Sequence, residues 1–175
     1  MYEALADEDV PWEAMRIFQV DERIAPHGDA DRNLTELERR LPAAAVARLE
    51  PMPVEDDDLD AGAAAYAAGL PDELDLAHLG LGPDGHTASL VPGDSVLEVA
   101  DRPVALTGGE YQGRRRMTMT YPYLRAAGSV LWLVTGGDKR EALRKLLAGD
   151  SSIPAGRLDA RDAQLVADAS VLSAE

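Results

Sequence analysis

The sequence predicts an α/β protein: a largely parallel sheet with helices on both faces, a Rossmann-like three-layer arrangement. Three observations carry that expectation. Short apolar runs alternate with helix-like segments along the chain. Two of those runs, 74–79 and 130–134, lead into glycine turns and read as buried strands. The third is length: 175 residues suffice for one domain with a real core, and no linker, repeat or low-complexity segment divides residues 1–175.

Taken in order, residues 1–6 read as the tail of a helix and 17–20 (Ile-Phe-Gln-Val) as a short buried strand. Asn33 followed by Glu36 matches a capping box opening a helix that runs to about Arg40. Asp56-Asp57-Asp58 precedes an alanine-rich helix over 59–68, where acids favour the positive end of the helix dipole. The acidic run 55–58 therefore reads as a solvated helix start in preference to a metal site. Strands follow at 74–79, 104–106 and 117–120, then a short helix at 121–126 and the strand 130–134. A helix over 139–147 places Leu143, Leu146 and Leu147 on one face, and 164–167 is the last strand.

Composition narrows the function classes. Cysteine is absent, which removes disulfide and thiolate chemistry. The chain shows no signal-peptide pattern and no apolar stretch near the roughly 18 residues of a membrane span, so a soluble, cytoplasmic protein is expected. A net charge of −15 argues against nucleic-acid binding. A small anionic substrate stays compatible, because surface charges are screened beyond about 8 Å. Only two of the 17 basic residues are lysines, Lys139 and Lys145.

The chemistry concentrates in Leu79-Gly80-Leu81-Gly82-Pro83-Asp84-Gly85-His86-Thr87-Ala88-Ser89-Leu90. Glycines at a strand end let backbone approach a ligand, and histidine is a side chain suited to acid–base chemistry beside one. Gly80, Gly82 and Gly85 also spell G-x-G-x-x-G, but a dinucleotide site needs these glycines to open a long helix, and Pro92-Gly93 cuts the following segment short, which leaves that reading a minor alternative. A glycine turn with nothing bound is the bland alternative, which His86 counts against. His78, within the apolar run, reads as a core residue, and His27 as a loop residue. No zinc-ligand spacing is present. Asp21-Glu22-Arg23 follows one strand and Thr135-Gly136-Gly137-Asp138-Lys139-Arg140 another; ligands collect at such strand ends. Lys139 in a first helical turn opposes the dipole, and a bound anion would supply the reason. Together these residues point to a phosphorylated small molecule.

The same pieces resemble the 6-phosphogluconolactonase family, a branch of the glucosamine-6-phosphate isomerase superfamily. The resemblance rests on Phe18-Gln19-Val20-Asp21-Glu22-Arg23 with Asn33, on 79–89, on Arg116-Met117-Thr118-Met119-Thr120, on 135–143 and on Ile153-Pro154-Ala155. It extends to about Asp168. Isomerases of the superfamily carry a glutamate five positions after the histidine; Val91 stands there and favours the lactonase branch. Family members begin with a helix, a strand and a phosphate loop ahead of the segment resembling 1–5, so the resemblance implies a chain lacking that N-terminal strand and loop. A second copy could then fill the exposed sheet edge.

The resemblance implies hydrolysis of 6-phospho-D-glucono-1,5-lactone to 6-phosphogluconate in the pentose phosphate pathway, with no metal or cofactor. His86 is the expected general base and Asp84 its catalytic neighbour. Asp21, Arg23, Gly82, Gly85, Arg116 and Lys139 are expected to bind substrate: Arg23 and Lys139 at the phosphate with Arg116 beside them, and the Gly82–Gly85 backbone at the oxyanion. Two other classes stay open: a sugar-phosphate isomerase, and a non-catalytic domain that binds sugar phosphate.

Overall fold

The structure, a computed structural model, describes residues 4, 5 and 8–172. Ala4 and Leu5 are helical, and the rest of the expected first helix tail lies outside the described residues. Among the described residues, eight strands form three small sheets. β1 (Ile17–Phe18) and β3 (Leu49–Glu50) pair in parallel. β4 (Leu76–Gly80), β7 (Ser129–Val134) and β8 (Ala163–Ala167) form a parallel sheet with β7 central. The third sheet is antiparallel, and in it β6 (Arg116–Met119) separates β2 (Asp21–Arg23) from β5 (Val104–Leu106).

The expected single, largely parallel sheet is thus split, and one of its parts is antiparallel. The cause is local. The chain leaves the first strand direction at Gln19, whose buried side chain is engaged at both polar atoms: Nε2 donates to Glu22 Oε2 (2.9 Å) and Oε1 accepts from the Met52 N–H (2.9 Å). Asp21-Glu22-Arg23, expected as a strand-end loop, is itself β2. Its partner β6 is buried at every position, so the antiparallel ladder satisfies backbone that could not face water.

Helices α1 (Asn33–Arg40), α2 (Ala43–Val46), α3 (Leu59–Gly69), α4 (Tyr121–Ala126), α5 (Arg140–Leu147) and α6 (Ala169–Leu172) cover the sheets. Asp58 caps α3 by accepting from the Ala61 N–H (3.0 Å), consistent with the helix-start reading of the acidic run. The capping box at α1 is not formed. Glu22, wholly buried on β2, takes the Asn33 and Leu34 N–H groups (2.8 Å each), while Glu36 turns outward to Arg39 and Arg40. α5 starts at Arg140 after a 3₁₀ turn over Gly137–Lys139. One apolar core joins the sheets; Leu79, Met117, Met119, Leu124, Val130 and Val134 are all at least 99% buried within it.

Candidate active site

After Gly80 the chain makes two tight turns in place of a helix, which removes the dinucleotide reading. The Gly82 N–H donates to His86 O (2.9 Å) and the Gly85 N–H to Gly82 O (3.0 Å), closing the first turn. Gly85 has φ +83°, a region open to glycine, and its Cα presses on Ile153. Its carbonyl accepts from the Ala155 N–H (2.9 Å). Thr87 Oγ1 donates back to Gly80 O (2.9 Å). These bonds fix the corner on which Asp84 and His86 stand. They also use the Gly82 and Gly85 donors, and Pro83 has none, so of the Gly82–Gly85 backbone expected at the oxyanion these positions do not offer a spare N–H. What Gly82 supplies is room: the imidazole lies against its Cα.

His86 Nδ1 is 2.6 Å from Asp84 Oδ1, and Tyr111 Oη donates to Asp84 Oδ2 (2.9 Å). Burial works against ionisation of Asp84. Hydrogen bonds from the His86 ring and backbone and from Tyr111 outweigh it and hold the carboxyl below its usual range. An ionised Asp84 accepts the Nδ1 proton and thereby leaves Nε2 as the basic nitrogen.

β2 and β6 build the second half. Asp21 lies opposite Thr118 and Arg23 opposite Arg116, so these four side chains share one face of the sheet. Burial raises the Asp21 carboxyl, opposed by the Ser89 hydroxyl donating at 2.7 Å and by Arg23 and Arg116. The Asn33 side-chain amide donates to Asp21 Oδ1 (3.2 Å). Arg116, 3% exposed, is 4.0 Å from Asp21 Oδ2, donates to Tyr111 O (3.2 Å) and holds its guanidinium 5.0 Å from the Tyr111 ring centre. Arg23 donates to Asp31 O. Both arginines keep a buried Nε without a hydrogen-bond partner. Two guanidiniums set opposite each other repel, and burial together with that repulsion lowers the Arg116 pKa. The Asp21 carboxylate beside both arginines offsets part of that repulsion.

Comparison with known proteins gives the family and the fold. Residues 1–167 match the family model described as glucosamine-6-phosphate isomerases/6-phosphogluconolactonase. The chain belongs to that family. It is 36% identical over 166 residues to a 6-phosphogluconolactonase of Nostoc sp., covering 85% of this chain and 66% of the relative. A rat 6-phosphogluconolactonase is 36% identical over 157 residues, covering 83% and 61%. The chain thus spans about two thirds of the length of the curated relatives it matches. The crystal structure of 6-phosphogluconolactonase from Thermotoga maritima superposes with a TM-score of 0.82 at 26% identity, over 95% of this chain and 79% of that one. A monomeric glucosamine-6-phosphate deaminase shares the fold at a TM-score of 0.77 and 21% identity, over 92% and 75%.

Within this family frame, Asp84, His86, Asp21, Arg23 and Arg116 converge through Tyr111, Ser89 and the β2–β6 pairing. Lys139 lies apart. It is half-buried at the end of β7, the strand beside β4, and among the described residues its ammonium makes no hydrogen bond or ion pair. Its neighbour Gly136 is held by Asp168, whose Oδ2 accepts the Gly136 N–H (3.0 Å). Tyr111, Ser89 and Asn33 complete the site. Asn33 was visible as a helix start and in the family resemblance, Ser89 only as part of a motif, and Tyr111 not at all. His78 is half-buried in β4, and burial lowers its pKa; exposed His27 donates its N–H to Glu55. One concavity lies beside Tyr121 and Arg157, and another is lined by Ile24, Leu59 and the Tyr111 hairpin residues Glu110, Gly113 and Arg114.

Proposed function

We propose that this protein hydrolyses 6-phospho-D-glucono-1,5-lactone to 6-phosphogluconate, a step of the pentose phosphate pathway. The observation that carries the proposal is a carboxylate-oriented imidazole linked, through Tyr111, to a face bearing two arginines with unpaired buried nitrogens. His86 Nε2 takes a proton from water as the water oxygen attacks the lactone carbonyl. The protonated ring then returns the proton to the ring oxygen as the C–O bond breaks. Asp84 holds the imidazole in the tautomer this requires and balances its transient charge. Arg23 and Arg116 attract the phosphate dianion, and Lys139 extends that cationic rim from β7. Val91, buried five residues after His86, puts a hydrocarbon where an isomerase would use a glutamate, which supports the hydrolytic reading. Sugar phosphates are charged and do not cross membranes, which supports a cytoplasmic place of action; among the described residues no helix is long and apolar enough to span a bilayer.

Lactone hydrolysis measured against the spontaneous blank tests the reading. His86→Ala is expected to lower kcat by about 10²–10⁴-fold, the range a general base supplies, with little change in KM. An enzyme-dependent rate that survives this substitution unchanged would falsify the proposal.

A further inference from the structure

We propose that Tyr111 is a positioning residue of this site: it locks the Asp84 carboxylate in the one orientation that keeps His86 Nε2 free for the substrate water. For its kinetic consequence this rests on the lactonase reading. Its structural consequence does not.

Asp84 stands on an exposed corner between Pro83 and Gly85, and its side chain is 36% exposed, so packing alone does not fix it. Oδ1 is held by the His86 ring at 2.6 Å and the His86 N–H at 3.2 Å. Oδ2 is held by Tyr111 Oη at 2.9 Å. That phenol also lies 3.3 Å from His86 Nδ1, and its ring meets the imidazole edge-on, with centroids 5.1 Å apart. Two arrangements therefore compete. With the phenol donating to Asp84, the carboxylate is pinned and accepts the Nδ1 proton. With Asp84 rotated away, the phenol would donate to Nδ1, move the ring proton to Nε2 and abolish the base. Ionised Asp84 is the stronger acceptor and selects the first arrangement. Burial and the neighbouring Asp84 raise the Tyr111 pKa, so the phenol keeps its proton at neutral pH.

The phenol is delivered by a built structure. Tyr111 and Arg114 bracket a two-residue hairpin turn whose central residues, Gln112 and Gly113, have φ +53° and +79°. Arg114 ties that turn to Asp29 (3.1 Å) and Asp31 (3.2 Å), and Arg116 braces the Tyr111 ring and carbonyl. The turn, the Arg114 ties and the Arg116 brace together hold one half-buried aromatic ring in place.

The experiment combines kinetics with 15N NMR of the imidazole, His86 being assigned among the three histidines by His86→Ala. Tyr111→Phe keeps the ring and removes one hydrogen bond to a charged acceptor. It is expected to lower kcat about tenfold with KM changed less than about twofold. In an Asp84→Asn background the same change should cost less than about twofold, because its route is already cut. The wild-type spectrum should show His86 mainly in the Nδ1–H tautomer, and Tyr111→Phe should increase the Nε2–H fraction. An unaltered tautomer ratio, or an equal loss in both backgrounds, overturns the proposal. Should wild type fail to open the lactone, the function proposed above falls, and the tautomer ratio still decides the role of Tyr111.

Discussion

A methyl group added at Gly82 would stand 2.8 Å from Asp84 Oδ1 and overlap the His86 ring. The imidazole would have to leave its place while the backbone could stay. A displacement of about 1 Å at a reacting group costs up to about 10²-fold. Gly82→Ala is therefore expected to lower kcat by roughly that factor with the melting temperature nearly unchanged. Steady-state kinetics beside a thermal melt distinguishes this from simple unfolding. At this scale much was legible beforehand: glycine, acid and histidine stand within five positions, from Gly82 to His86, and the meaning is local. Tyr111 was illegible for the converse reason. Twenty-five residues separate it from His86, and only the folded β5–β6 connection brings its hydroxyl to the acid.

Strands and helices were legible wherever their burial pattern is their own. The apolar runs that became β4 and β7, and the helices α3, α4 and α5, fall within a few residues of their expected limits. β2 has no such pattern, since Asp-Glu-Arg reads as solvated loop. It is a strand because β6 offers it a buried edge and because Glu22 finds partners inside. Glu22 accepts from Gln19 Nε2 and from the Arg23, Asn33 and Leu34 N–H groups, and it ion-pairs with Arg32 at 3.0 Å. One carboxylate thereby caps α1 from another element and neutralises an arginine that is 1% exposed. Glu22→Ala would leave that charge buried without its main counterion, at a cost of about 3–5 kcal/mol. With each kcal/mol worth roughly 2–4 °C in a chain of this size, the melting temperature should drop by on the order of 10 °C. Differential scanning calorimetry measures it, and a drop below about 3 °C would remove Glu22 from this role.

For the molecule as a whole, the charge of −15 makes general repulsion of anions the expectation, so preference for one anion marks a specific site. The Arg23–Arg116 face supplies the contrast. Inorganic phosphate at about a hundred times its dissociation constant stabilises the native state by about 2.7 kcal/mol, or roughly 5–10 °C here. Sodium chloride of equal ionic strength should give much less, and Arg23→Met should erase the difference. Thermal melts in matched salts would reveal it. The long-range order that makes such a face was the least legible part of the sequence, because strand pairing between residues 21–23 and 116–118 spans most of the chain. The corner that carries His86 shows the same dependence. Gly85 leans on Ile153 and accepts its bond from Ala155, although some seventy positions intervene. Substitution histories at 85 and 153 are consequently bound together: a lineage that thickens either partner must thin the other, and covariation in descendants would record the debt.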